Sequence, residues 1–242
     1  MVEVRMNQQI RRSSNRIAGA ILVLFIFLLT AYGHAQEQEL QPPQKQKEER
    51  IVPRQKVAVL PFLLVQPDAP GQRMMKGLYG NYFFRTGEQP ARAGSVITTI
   101  FQRRLNALGR CELIPLDQAQ VATEGLDPKA FQKDPLSMAA QIGQELGVEA
   151  VVIGAVYHFE QRQGSGLGVQ SPASAAFDAH LIRVADKKVL WSGRFDETQH
   201  SLSENLLKIG SFVKGGAQWV TVERWAELGV ESILRTFPTL NR

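Results

Sequence analysis

The chain has 242 residues, 44% of them hydrophobic and 21% charged, with 28 Lys+Arg against 23 Asp+Glu and a formal net charge of +5. Such fractions belong to globular proteins and exclude wholesale disorder, collagen and coiled coil. A single cysteine, Cys111, excludes a disulfide scaffold and a cysteine-built zinc site.

Residues 1–16 carry Arg5, Arg11, Arg12 and Arg16 against one acid, Glu3. An uncharged apolar run follows at 17–32 (IAGAILVLFIFLLTAY), then Gly33-His34-Ala35. A basic head, an apolar middle and a small-x-small end read as a secretory signal peptide over 1–35, cleaved after Ala35. At about 1.5 Å per residue the run spans roughly 24 Å, short of the ~30 Å hydrocarbon core. The other reading is an uncleaved N-terminal membrane anchor, because the uncharged stretch continues to Ala35. Under both readings the arginines stay inside and everything after residue 35 lies outside the cytoplasm. Residues 1–35 hold four of the bases and one of the acids, so the remainder carries only +2. That remainder shows no Lys/Arg stripe with interleaved aromatics, and no nucleic-acid partner is expected.

Residues 36–56 (QEQELQPPQKQKEERIVPRQK) are rich in Gln, Glu, Lys and Pro and have almost nothing to bury. They read as a disordered linker that could reach on the order of 60 Å when extended. Residues 57–242 then form one domain, with enough chain for a real core.

Within it, the continuous apolar run at 56–65 predicts a strand buried on both faces. Residues 66–92 have little regular pattern. Val96, Ile97, Ile100, Phe101, Leu105 and Leu108 share one face of a helix over 95–108, with Gly109 at its C-terminal stop. A short strand at 111–116 contains Pro115, which favours a sheet edge. Asp134-Pro135 opens another helix, and Gly147 ends it. Residues 148–159 form the second strong strand, apolar on both faces until His158. Strands at 173–185 and 189–198 make a hairpin around Asp186-Lys187-Lys188. Keeping apolar residues opposite one another requires an odd-length turn with a bulge, and leaves Asp178, His180, Ser192, Arg194 and Asp196 on a solvent face. Ser201-x-x-Glu204 is a capping box for a helix over 202–212. A last helix covers 217–235. Together these elements predict an α/β two-layer sandwich, a mixed sheet with helices mainly on one face and an extra C-terminal helix.

The candidate sites are few. Gly164-Ser-Gly166-Leu-Gly168 is followed by a strand, so no helix N-terminus points at it, and it reads as a hairpin loop. Asp178, His180 and Ser192 supply an orienter, a base and a nucleophile on paper, and otherwise a row of cross-strand polar pairs. The histidines lack ligand spacing. No catalytic, cofactor or metal site is assigned. The stretch 66–92 is too long to be an idle loop inside a domain. It holds Met74, Tyr79, Tyr82, Phe83, Phe84 and Arg85, the residue types that interface cores favour, and these are the candidate partner contacts. The competing reading folds the same aromatics back over the domain.

Three segments carry a resemblance: VAVLPF at 57–62 ahead of the helix, AAQIGQELGVEAVVIGAVYHF at 139–159, and AAFDAHLIRVADKKVLWSGRF at 175–195. In this order they resemble the small α/β domain shared by the curli-secretion protein CsgG, the N-terminal domain of TolB and the penicillin-binding-protein activator LpoB, over roughly residues 56–212. The lipobox cysteine typical of CsgG and LpoB is absent, and no pair of alternating segments suits membrane-spanning hairpins. The resemblance implies a non-enzymatic envelope domain that binds other proteins. The expectation is therefore an exported periplasmic or envelope protein acting by protein–protein interaction in the assembly or regulation of an envelope machine. Membrane association and oligomeric state stay open. The alternatives are an exported peptidoglycan or glycan binder, and an exported hydrolase built on Ser192, His180 and Asp178.

Overall fold

The computed structural model describes residues 54–165, 168–199 and 220–241. The apolar run at 17–32, most of the linker and the helix expected at 202–212 lie outside the described residues.

Val57, Ala58 and Val59 are buried on both faces of a central strand, β1 (Lys56–Val59). The run expected as one strand over 56–65 is broken. Pro61 has no N–H to give to a ladder, and pairing resumes only at β2 (Leu63–Leu64). The Phe62 N–H in the break donates to the buried Thr98 hydroxyl at 2.9 Å, and Thr98 donates in turn to the Gly94 carbonyl. Two small sheets are additional: β3 (Met74–Lys76) with β4 (Phe83–Arg85), and β7 (Gln163–Ser165) with β8 (Gly168–Ser171). Gly164 and Gly168 of the glycine-rich segment lie on the two strands of the second.

Thr98 lies on α1 (Ala93–Leu108), which buries Ile97, Ile100, Phe101 and Leu105 and stops at Gly109 with φ 58°. β5 (Glu112–Leu113) is a two-residue sheet edge just before Pro115. Two short helices, α2 (Leu116–Ala122) and α3 (Pro128–Lys133), were not expected. The signal for α3 was present. Asp127-Pro128 repeats the Asp134-Pro135 start of α4 (Pro135–Glu145), and each Asp side chain accepts a backbone N–H of its helix. The strands β6 (Ala150–Glu160), β9 (Ser174–Arg183) and β10 (Val189–Thr198) follow. The last helix, α5 (Val222–Leu234), is capped by the Thr221 hydroxyl.

The main sheet runs β10-β9-β6-β1-β5, with β2 also on β6. β5, β1 and β6 are parallel, whereas β6, β9 and β10 are antiparallel. The sheet is mixed and the C-terminal helix is added to it, as expected. The β9–β10 bulge falls between Val189 and Trp191, and it keeps Phe177 opposite Phe195. One face packs against α1 and α5 through Val152, Phe101, Phe177, Phe195 and Val230. The other packs against α2, α3, α4 and the β3–β4 hairpin through Val151, Ile153, Tyr157, Phe131 and Ile142. This second layer overturns the β9 half of the expected solvent face of the β9–β10 hairpin: Asp178 and His180 are each 2% exposed, whereas Ser192, Arg194 and Asp196 on β10 are exposed as expected. Apolar alternation marks one buried face. It carries no information about a segment a hundred residues earlier that returns to cover the polar one.

Candidate interaction surface

The stretch 66–92 is that cover. In β3 and β4 the side-chain period of two divides the hairpin cleanly. Met75 opposes Phe84 on the inner face, and both are buried. Met74 opposes Arg85, and Lys76 opposes Phe83, on the outer face. Phe84 lies flat on Tyr157, with ring centroids 4.0 Å apart.

Two polar anchors hold the hairpin down. At its tip the Leu78 N–H donates to the Tyr157 hydroxyl at 2.7 Å and to Asp178 Oδ2 at 3.1 Å. Tyr157 donates to the same Asp178 oxygen at 2.8 Å. Burial first, then the Asp178 charge, pushes the Tyr157 phenol far above its ordinary value, so it stays a donor. The tip fits closely: a Cβ on Gly77 would stand 3.0 Å from the Phe84 ring and 3.1 Å from Asp178. At the other end His158 Nδ1 lies 3.0 Å from the Arg85 carbonyl, and Nε2 lies 2.8 Å from the Ser174 hydroxyl. A carbonyl only accepts, so Nδ1 carries the proton and Nε2 accepts from Ser174. Burial, chiefly, lowers the His158 pKa and keeps the ring neutral. Arg85 pairs with Glu160 at 2.8 Å. Burial pushes the Glu160 carboxyl up, but the Arg85 guanidinium outweighs it and holds the pKa below the ordinary value.

Both anchors reach the hairpin because of one irregularity. The β6–β9 register slips between Val156 and His158. The bulge at Tyr157 lets consecutive residues, Tyr157 and His158, both reach the hairpin, where a regular strand would send them to opposite faces. Neither residue was among the candidate contacts. Their signal was polar groups ending an otherwise apolar strand.

Asp178, His180 and Ser192 are brought together as a row. His180 Nε2 stands 3.2 Å from Asp178 Oδ2, and Nδ1 stands 2.8 Å from the Ser192 hydroxyl. The row is hydrogen-bonded only at its Ser192 end, because His180 Nε2 has no hydrogen-bond partner among the described residues. Its Asp178 end is committed to the hairpin tip, and Asp178 Oδ1 is buried with no partner among the described residues.

Of the six candidate contacts, four are exposed: Met74 (47%) and Phe83 (61%) on the two strands, and Tyr79 (40%) and Tyr82 (48%) in the turn between them. Tyr79 also meets the His180 ring edge-on, and the Arg194 guanidinium sits 4.0 Å over the Tyr82 ring. Phe84 is not exposed, because strand alternation turns it inward. Arg85 is exposed on the outer face but tied to Glu160.

No protein-family model and no curated protein sequence matches this chain. Solved structures with a similar arrangement include the PelC dodecamer from Paraburkholderia phytofirmans, at 16% identity over 78% of this chain and 89% of that one, with a TM-score of 0.43. The LpoB C-terminal domain from Salmonella enterica matches at 18% identity over 62% and 87%, with a TM-score of 0.37. Lipoprotein GNA1162 from Neisseria meningitidis matches at 14% identity over 66% and 96%, with a TM-score of 0.40. LpoB is thus among these neighbours, alongside a neisserial lipoprotein. At such identities and scores no function passes from them to this chain.

Proposed function

We propose that this is an exported, non-enzymatic protein of the bacterial cell envelope that binds another envelope protein through the outer face of the β3–β4 hairpin, in the assembly or regulation of an envelope machine. The observation that carries the reading is the division of that hairpin. Its inner residues are fixed by buried stacking and hydrogen bonds, while Met74, Tyr79, Tyr82 and Phe83 are presented to solvent on the rigid support. A pre-formed aromatic surface binds with little further loss of side-chain entropy. The basic head and apolar run at the N-terminus deliver the domain outside the cytoplasm, and the linker ahead of Arg54 gives it reach, since Arg54, Gln55 and Lys56 are already paired within the domain.

The test is site-specific photo-crosslinking in cells from position 83, comparing wild type with Met74→Ala/Tyr82→Ala. One envelope protein should crosslink reproducibly, and the double variant should lose it while keeping the wild-type melting temperature. Phe84 stays unchanged throughout, because its loss would unfold the hairpin. Equal crosslinking in both proteins, or none in either, refutes the surface.

A further inference from the structure

The main sheet has two unequal edges. β5 is only two residues long, whereas β10 runs ten residues from Val189 to Thr198. Its free backbone groups can be identified from the ladder. The Gln199 N–H donates to the Ala173 carbonyl across β9 and β10, and the register is unbroken from Trp191 to Thr198. Antiparallel strands alternate residues that exchange both hydrogen bonds with the neighbour and residues that point both groups away. Trp191, Gly193, Phe195 and Glu197 therefore face β9. Ser192, Arg194, Asp196 and Thr198 direct N–H and C=O away from the sheet. On the far side of β9, Val184 N–H donates to the Glu149 carbonyl, which agrees with the same alternation. Among the described residues no hydrogen bond reaches those four outward N–H and C=O pairs. The side chains of Ser192, Arg194 and Asp196 are exposed. Edge strands of this length are ordinarily blunted by proline, lysine or a central bulge. β10 has its one bulge at the Val189 end and no Pro or Lys; its charges, Arg194, Asp196 and Glu197, are of both signs, so they repel a random strand less than they select a complementary one.

We infer that β10 pairs with β10 of a second copy of this chain, joining the two sheets across a two-fold axis. Centred on Phe195, such a pairing places Arg194 opposite the partner's Asp196, and Asp196 opposite the partner's Arg194. Ser192 then meets the partner's Thr198. All four outward residues fall into hydrogen-bonded positions in that register, as the ladder requires. Sliding by one repeat either way puts Arg194 against the partner's Arg194, or Asp196 against the partner's Asp196, and like charges directly opposite are unfavourable. The charges thus select one register, and the Tyr82 ring beneath Arg194 holds its guanidinium near the edge. Tyr82 belongs to both surfaces, because its ring stacks on Arg194, so the dimer is tested with Tyr82 unchanged.

The test uses the full-length protein in mild detergent, by sedimentation velocity over a range of concentrations. Wild type should be a dimer that dissociates on dilution. Arg194→Asp and Asp196→Arg should each weaken it roughly ten-fold or more. The double charge reversal, which restores opposite charges across the axis, should recover it. Hydrogen exchange at Ser192, Arg194, Asp196 and Thr198 should slow as the dimer forms, with each variant's melting temperature confirming its fold. A wild-type monomer overturns the inference, whether the edge is covered within the chain or reserved for a different protein. So does a dimer indifferent to the single reversals, which would lie elsewhere, and so does a double reversal that fails to restore it.

Discussion

At the residue scale the molecule turns on Tyr157. Its hydroxyl is shared between the Leu78 N–H and the Asp178 carboxylate, in a pocket sealed by Phe84. Tyr157→Phe keeps the stacking ring but removes one of two donors to Asp178 Oδ2, leaving the Leu78 N–H as the other. A hydrogen bond to a charged group is worth about 1.5–3 kcal/mol. Urea unfolding should show a loss of that size, with faster proteolysis at the hairpin than elsewhere. His158 makes a second prediction, with a definite sign. Its folded pKa lies below the ordinary 6.5, so the unfolded chain binds the proton more readily. Stability is therefore full above about 6.5 and falls as pH drops through that value towards the lower folded one. The groups around the ring act in both directions: the Arg85 charge lowers its pKa, whereas the Arg85 carbonyl, Glu160 and Asp196 raise it. Glu160 has a depressed pKa, so its contribution is lost only in a separate, more acidic step below its ordinary 4.5. Urea titrations against pH should resolve the two steps, and His158→Gln should abolish the upper one alone.

At the element scale the long strands were legible because two-sided burial demands uninterrupted apolar residues. β6 is buried at every position from Ala150 to Phe159. α1 and α4 were legible from their apolar spacing and their stop or start signals. The break in the first strand needed Pro61 read together with Thr98, which is remote in sequence. Across this break Phe62 turns its ring onto β6, and a Cβ on Gly154 would lie 2.3–2.6 Å from three of its ring carbons. Gly154→Ala must displace that ring or the strand, at a cost of about 1–3 kcal/mol by overpacking. A melting-temperature comparison checks it, and Phe62→Leu in the same chain should recover part of the loss. The β3–β4 hairpin escaped notice because three-residue strands are too short to establish a period. Once paired, their alternation sorts the aromatics, and Phe84 changes from a candidate contact to core.

At the scale of the whole molecule, the two faces of one sheet serve different ends. The α1–α5 face is an apolar core closed at its rim by Arg103, Arg104 and Arg224 gathered on Glu227. The opposite face carries a buried polar network and, over it, the exposed aromatics. By itself the sequence carries the expectation of export, which rests on the composition and order of residues 1–35 alone. It also determined the α/β class, since burial on both faces of a strand requires an unbroken apolar run. Only the tertiary structure decided which way the aromatics of residues 66–92 point, that Asp178 and His180 are interior, and that β10 presents its outer edge. Each of these depends on what residues distant in the chain bring against a surface, and local periodicity reports only that a face is polar or apolar. The net charge of +5 belongs mostly to residues 1–35. In the domain single charges are placed locally, as Arg85 is on Glu160, and their positions depend on the folded register rather than on composition.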